Sequence, residues 1–196
     1  MRSCAVIDLD STLINTFGFI DSWDRVSHIT EKRTKDRIFH IKAASQFMWG
    51  TIRPHTTDFL NACFETFDIV GVWSAGSNGY VDEIVEEVFP KKPEFVWNRE
   101  KCVDSIDHDG KSIKQKPLRL LHNAYPDIDP KRTFLFDDHP IVCQQDTLYH
   151  VHIRPWESNF DGLHKPDDTL KKVATWVREE VRNVPDYKTI SHKGLM

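Results

Sequence analysis

The chain has 196 residues, of which 39 % are hydrophobic, including twelve Phe and six Trp, and its net charge is −4. That length fits one domain with at most a modest insertion, and the apolar content builds a folded core rather than a disordered chain. The acidic balance excludes a global basic field, so no direct nucleic-acid binding is expected, and no apolar run approaches the ~20 residues that cross a bilayer.

The first predicted element is a short buried strand, Ala5-Val6-Ile7, which stops at two carboxylates in the run Asp8-Leu9-Asp10-Ser11-Thr12-Leu13. Because the chain turns past the strand end, Asp8 and Asp10 can be brought to one point. Crowded carboxylates repel, which raises the pKa of one or calls for a cation between them. A divalent ion would keep Asp8 ionised as a nucleophile, while Asp10 could hold and release a proton. The alternative is an Asx turn capping the strand through Asp10. The strand begins at the N-terminus, which leaves no room for a signal peptide, and Cys4, Cys63, Cys102 and Cys143 are scattered without a CxxC pair. Reduced thiols and a cytoplasmic or nuclear location are the expectation.

Residues 15–37 are polar and poorly periodic, reading as a long loop within an excursion over 14–51, with a short strand pair reaching Ile38-Phe39-His40-Ile41. A helix follows, with Phe59, Leu60, Cys63, Phe64 and Phe67 on one stripe. The next strand, 68–73, ends in Ser74-Ala75-Gly76, and a helix over 80–89 turns Val81, Ile84, Val85 and Val88 inward before Pro90. Residues 91–115 read as a small strand or hairpin insertion around Phe95-Val96-Trp97, with a turn at Asp109-Gly110. Residues 117–124 form a short helix with Pro in its first turn. Thr133-Phe134-Leu135-Phe136 is a third buried strand, ending in Asp137-Asp138-His139-Pro140, and 149–153 is a fourth. His150 and His152 share one face of that strand, where satisfied or exposed histidines are more common than metal pairs. An amphipathic helix over 167–182 closes a single domain spanning 1–182, and 183–196 reads as a loose surface tail.

Apolar strands alternating with helices indicate a parallel α/β sheet covered on both faces, with ligands beyond the carboxyl ends of the strands. Three strands here end in groups suited to phosphate: Asp8 with Asp10, Ser74, and Asp137 with Asp138. Ser74 and the amides after it could hydrogen-bond phosphoryl oxygens, or Ser74 could cap the next helix. Lys116 could lend the same oxygens a point charge, with Lys114 as its rival.

The pattern DxDxT after an apolar strand resembles the haloacid dehalogenase superfamily. With Arg53-Pro54-His55, Val72-Trp73-Ser74-Ala75-Gly76, Lys116 and Asp137-Asp138-His139-Pro140 in that order, nearly the whole chain resembles the small C-terminal-domain phosphatase, or NLI-interacting-factor-like, family. The resemblance implies a Rossmann-like fold with a small β insertion and no large cap domain. It also implies a Mg²⁺-dependent protein serine/threonine phosphatase acting through an aspartyl-phosphate, with a Ser-Pro-rich polymerase tail as substrate. In that scheme Asp8 is the nucleophile and Asp10 the acid and base, with Ser74 and Lys116 on the phosphate. Mg²⁺ is held by the Asp8 carboxylate, the Asp10 carbonyl and Asp138, and Asp137 lies nearby to hold Lys116 or a metal-bound water. Thr12, Ala75, Gly76, Tyr80 and Arg99 are the implied substrate contacts, while Arg53 pins the loop after Asp8.

The excursion after Asp8 departs from the family, and Ser77 stands where a leucine of its proline-gripping pocket is expected. Phe17 or Phe19 are candidates for that role. Two other readings stay open: the same chemistry on a small molecule or a nucleic-acid 3′-phosphate, and a non-catalytic phosphopeptide-binding module.

Overall fold

A computed structural model describes residues 1–18, 32–43, 46–143, 146–158, 166–192 and 195. Its central sheet is five-stranded, in the order β10-β9-β1-β5-β6: His150–His152, Ile128–Asp137, Arg2–Ile7, Ile69–Trp73 and Phe95–Trp97. Every pairing in it is parallel, as the unbroken apolar runs of β1 and β5 require when both faces are covered. Successive side chains alternate between two cores. Ala5, Ile7, Val70, Val72, Phe134 and Phe136 pack against helices α2 (Thr56–Thr66), α3 (Asn78–Val88) and α5 (Thr169–Trp176). Cys4, Val6, Ile69, Trp73 and Leu135 face helix α4 (Leu118–Ala124) through Leu118 and Leu121.

Register places the functional ends together. Ile7 lies opposite Val72 on one side and Phe136 on the other, so Asp8 and Asp137 emerge at one level, with Ser74 one residue further along at the end of β5. β10 continues that line, with His152 opposite Asp137.

Three expectations need correction. The excursion after Asp8 carries an antiparallel three-stranded sheet, β2-β4-β3, made by Ile14–Gly18, Gln46–Ile52 and Ile38–Ala43, with a short helix α1 (Lys32–Lys35) before β3. Phe17 stacks on Trp49 there at 4.7 Å, whereas Phe19 lies outside the described residues. The hairpin of β3 and β4 is the strand pair read around Ile38–Ile41, whereas β2 was not read because it finds β4 across a long gap in sequence.

The segment Phe95–Trp97 belongs to the main sheet rather than to an insertion. It pairs with β5, and Gly71 leaves room for the Phe95 ring, which a Cβ there would meet at 2.1 Å. The inserted part is the hairpin of β7 (Val103–Ile106) and β8 (Ser112–Gln115). Its turn has Gly110 at φ 79° and an Asp107 carboxylate that accepts from the amides of Asp109 and Lys111.

The C-terminal segment is docked rather than loose. After α5 a π-helical turn, Val177–Val181, leads to Tyr187, which is fully buried. Tyr187 stacks on Phe134 at 4.6 Å and meets Phe67 edge-on at 5.9 Å. Val184 and Ile190 pack on the same core and the Trp176 indole donates to the Ser191 carbonyl, but these contacts follow no period that would announce them. Tyr187→Ala is expected to lower unfolding stability by about 3 kcal/mol, the range for emptying an aromatic core site. Urea unfolding checks this, and an unchanged midpoint would return the segment to the status of a loose tail.

Candidate active site

Asp8 leaves β1, Asp137 ends β9, and Lys116 precedes α4, all three being almost fully buried. The Lys116 ammonium donates to Asp8 at 2.5 Å and to Asp137 at 2.6 Å. Backbone bonds hold the frame: the Asp8 amide donates to the Phe136 carbonyl at 3.0 Å, and the Lys116 amide to the Val142 carbonyl at 2.8 Å. The second Asp137 oxygen accepts from the His139 amide at 2.8 Å. Lys116, rather than Lys114, therefore sits in the array; Lys114 pairs with Asp104 on the hairpin at 2.5 Å.

Asp138 completes the cluster. One carboxylate oxygen from each of Asp8, Asp137 and Asp138 lies within 4.8 Å of the others. Thr12, expected at the substrate, is buried and donates to Asp138 at 3.3 Å, so it orients this acid. The rings of His150 and His152 hydrogen-bond the carbonyls of Asp137 and Asp138 at 3.1 and 2.8 Å. These histidines are satisfied, and what satisfies them is the backbone of the acidic pair. Their position two residues apart, on the strand predicted after that pair, was a legible sign of it.

The chain gets Asp10 back toward Asp8 through a tight turn. Ser11 takes a left-handed φ of 59°, its amide donating to the Ile14 carbonyl at 2.8 Å. Arg53 anchors this turn as expected: it donates to the Thr12 carbonyl at 3.1 Å and pairs with Asp167 at 3.0 Å. The Asp10 carboxylate stands outside the three-acid cluster and accepts from the Tyr80 hydroxyl, which also hydrogen-bonds Thr16 at 3.1 Å. Tyr80, an implied substrate contact, reaches the second motif carboxylate with its hydroxyl, across a sequence gap that no local pattern reveals.

At the end of β5, Ser74 is buried and its oxygen accepts from the Gly76 amide at 3.0 Å, leaving its own proton to donate. Gly76 is needed there, because a Cβ would come within 2.6 Å of the Tyr80 ring. Arg99 braces the same loop, its amide donating to the Gly76 carbonyl at 2.9 Å and its side chain to the Ala75 carbonyl at 3.3 Å. The open cavity above the array is about 410 Å³ and is lined by Asp8, Asp10, Ala75, Gly76, Lys116, Asp137 and Asp138, with hairpin residues on its rim. Thr12, Ser74, Tyr80 and Arg99 support that lining from behind or beside it.

Charge at the array is unbalanced, with four carboxylates around one ammonium. Burial raises the pKa of Asp8, Lys116 pulls it back and Asp137 adds to the rise. Burial also raises Asp10, against the Tyr80 bond, and Asp138, where Asp137 adds its repulsion. Burial works against the Lys116 charge, yet Asp137 and Asp8 hold its pKa above the ordinary lysine value. A convergent all-oxygen donor set with surplus negative charge fits a hard divalent cation, with Asp8 and Asp138 the freest to bind it.

The family model described as NLI interacting factor-like phosphatase matches residues 3–188. Ubiquitin-like domain-containing CTD phosphatase 1 of Danio rerio is 25 % identical over 162 residues, covering 80 % of this chain and 50 % of that protein. Putative CTD phosphatase-like protein 355R of Invertebrate iridescent virus 6 is 29 % identical over 162 residues, covering 76 % of this chain and 84 % of that protein. The structure of Fcp1, an essential RNA polymerase II CTD phosphatase, aligns with TM-score 0.57 at 21 % identity, over 80 % of this chain and 42 % of that one. A fission yeast Fcp1 variant bound to beryllium fluoride aligns with TM-score 0.58 at 16 % identity, over 92 % and 50 %. The chain thus spans half or less of the length of the zebrafish protein and of both Fcp1 chains. The structural likeness is one of fold.

Because Asp8, Asp10 and Asp138 titrate higher folded than unfolded, the folded chain holds more protons, and their contribution to stability falls as pH rises from near 3.8 through the raised values. In EDTA, resistance to urea should carry this downward trend, and Asp138→Asn should flatten it by removing one of the three groups. Urea midpoints of both proteins across that range are the measurement. A slope the substitution leaves untouched would exclude Asp138 as a contributor.

Proposed function

The chain belongs to the NLI interacting factor-like phosphatase family, and we propose that it is a Mg²⁺-dependent protein serine/threonine phosphatase working through an aspartyl-phosphate. The observation that carries this reading is the Asp8–Lys116–Asp137 array, with Asp138 and Asp10 at its mouth. Phosphoryl transfer asks for positioning and charge neutralisation more than for covalent work by the protein. The residues provide both.

An Asp8 carboxylate oxygen attacks phosphorus, and the bond from phosphorus to the ester oxygen breaks as the new one forms. Asp10, with its pKa raised by burial, gives its proton to the departing alkoxide. A water then attacks the phosphorus, its proton passing to Asp10, and Asp8 and inorganic phosphate are released. Tyr80 stays protonated, since burial and the neighbouring Asp10 raise its pKa, so it remains a donor that aims the Asp10 carboxyl. Lys116 lends positive charge to the phosphoryl oxygens while holding Asp8 in place, and Ser74 with the amides of Ala75 and Gly76 offers further donors. Asp8 and Asp138, with the Asp10 carbonyl, would hold Mg²⁺, which would supply positive charge against the repulsion between carboxylate and phosphate dianion.

The substrate we propose is a phosphoserine or phosphothreonine in a protein, with the phosphorylated tail of RNA polymerase II favoured by the described activity of the relatives. Among the described residues no helix is long and apolar enough to cross a membrane, and a cytoplasmic or nuclear location suits such a substrate. The open cavity also suits a macromolecule.

Purified protein should release phosphate from an aryl phosphate ester with Mg²⁺ and lose that activity in EDTA. Asp8→Asn should abolish turnover, and Asp10→Asn should lower it by roughly 10²–10⁴-fold, the usual worth of a proton donor. Full activity in the Asp8→Asn protein would rule out the aspartyl-phosphate route.

A further inference from the structure

The cavity has a second chemistry at its outer side. Its floor is acidic, but its hairpin wall is made by Lys111, Ser112, Ile113 and Lys114. The hairpin's own acids, Asp104, Asp107 and Asp109, are not among the lining residues. Lys111 and Lys114 are both exposed, whereas Ile113 between them is buried and fixes the strand. Asp107 accepts from the Lys111 amide at 2.8 Å, which sets the turn and presents that lysine at the rim.

The concavity is larger than the reaction needs. At about 410 Å³ it lies in the range that holds a drug-sized ligand, far more than one phosphoryl group. On a chain of net charge −4, Lys111 and Lys114 bring two positive charges to the hairpin side of a concavity whose catalytic end carries four carboxylates. The Lys114–Asp104 pair is exposed on both sides, so its attraction is weak and an incoming anion can compete with it.

We propose that Lys111 and Lys114 form an anion subsite beside the catalytic cluster, which selects phosphopeptides bearing a second anionic group near the phosphoester to be cleaved. The second group is a phosphoryl or carboxylate, both recognised by the same ammonium chemistry. This inference rests on the phosphatase reading for the identity of the deep group, but the subsite is measured by binding alone. A doubly charged phosphoryl group gains more from two lysines than a single carboxylate does.

The test uses three peptides with a non-hydrolysable phosphonate analogue of phosphoserine, differing only at the flanking residue: phosphoserine, glutamate or alanine. Affinities are measured with Mg²⁺ by titration calorimetry for the parent, Lys111→Ala, Lys114→Ala and the double variant. The parent should bind the phosphoserine peptide about tenfold, and the glutamate peptide about threefold, more tightly than the alanine peptide, as exposed ion pairs allow. The double variant should lose that discrimination, and added salt should shrink it in the parent. Hydrolysis of an aryl phosphate, which carries no second anion, should stay within twofold of the parent in all three variants.

Equal affinities in the parent, or discrimination that survives in the double variant, would overturn the subsite. A 3′-phosphorylated oligonucleotide that outcompetes every peptide would overturn the assignment to peptides. Absence of aryl phosphate turnover would instead count against the phosphatase reading, while the peptide affinities would still decide the subsite.

Discussion

One buried ammonium organises this molecule's chemistry. Lys116 bridges Asp8 and Asp137, the residues that leave two neighbouring strands, and so converts like-charge repulsion at the tip of the sheet into attraction. A buried charge with its partner removed is costly, at about 3–5 kcal/mol, so each of the three depends on the others being present. The lysine also leaves the cluster short of positive charge, which is the condition under which a divalent cation and a phosphate dianion can be accommodated together.

Around that contact the fold acts as a device for alignment. Parallel register brings the ends of β1, β5 and β9 to one level, and β10 adds two imidazoles that hold the carbonyls of the acidic pair. Thr12 holds the Asp138 carboxylate through its hydroxyl, while Arg53 acts on the Thr12 carbonyl and Arg99 on the Ala75 and Gly76 carbonyls. Gly76 contributes by having no side chain, which lets Tyr80 lie close enough to reach Asp10.

Much of this was legible in the sequence wherever chemistry is local. Asp8, Ser74 and Asp137 stand directly after apolar runs, so strand and site were read together, and the order of motifs carried the family. Lys116 directly precedes α4, and it is this lysine, not Lys114, that reaches Asp8. What escaped depends on distance along the chain. The Tyr80–Asp10 bond joins residues 70 apart, β2 finds its partner β4 only across a long gap in sequence, and Tyr187 is a buried anchor in an aperiodic segment. Arg99, a substrate contact in the resemblance, bonds the Ala75 and Gly76 carbonyls of the loop that lines the cavity.

Arg53 has a consequence for the order in which the molecule can be assembled. It joins the turn that carries Asp10 to Asp167, across a gap of 114 positions. Closing so long a loop is entropically expensive and comes late when a chain folds. During synthesis, the turn that carries Asp10 acquires this last tether only once residue 167 has emerged. A nascent chain can thus form its central strands well before the turn that carries Asp10 has its final anchor, which delays a finished active site until Asp167 is in place.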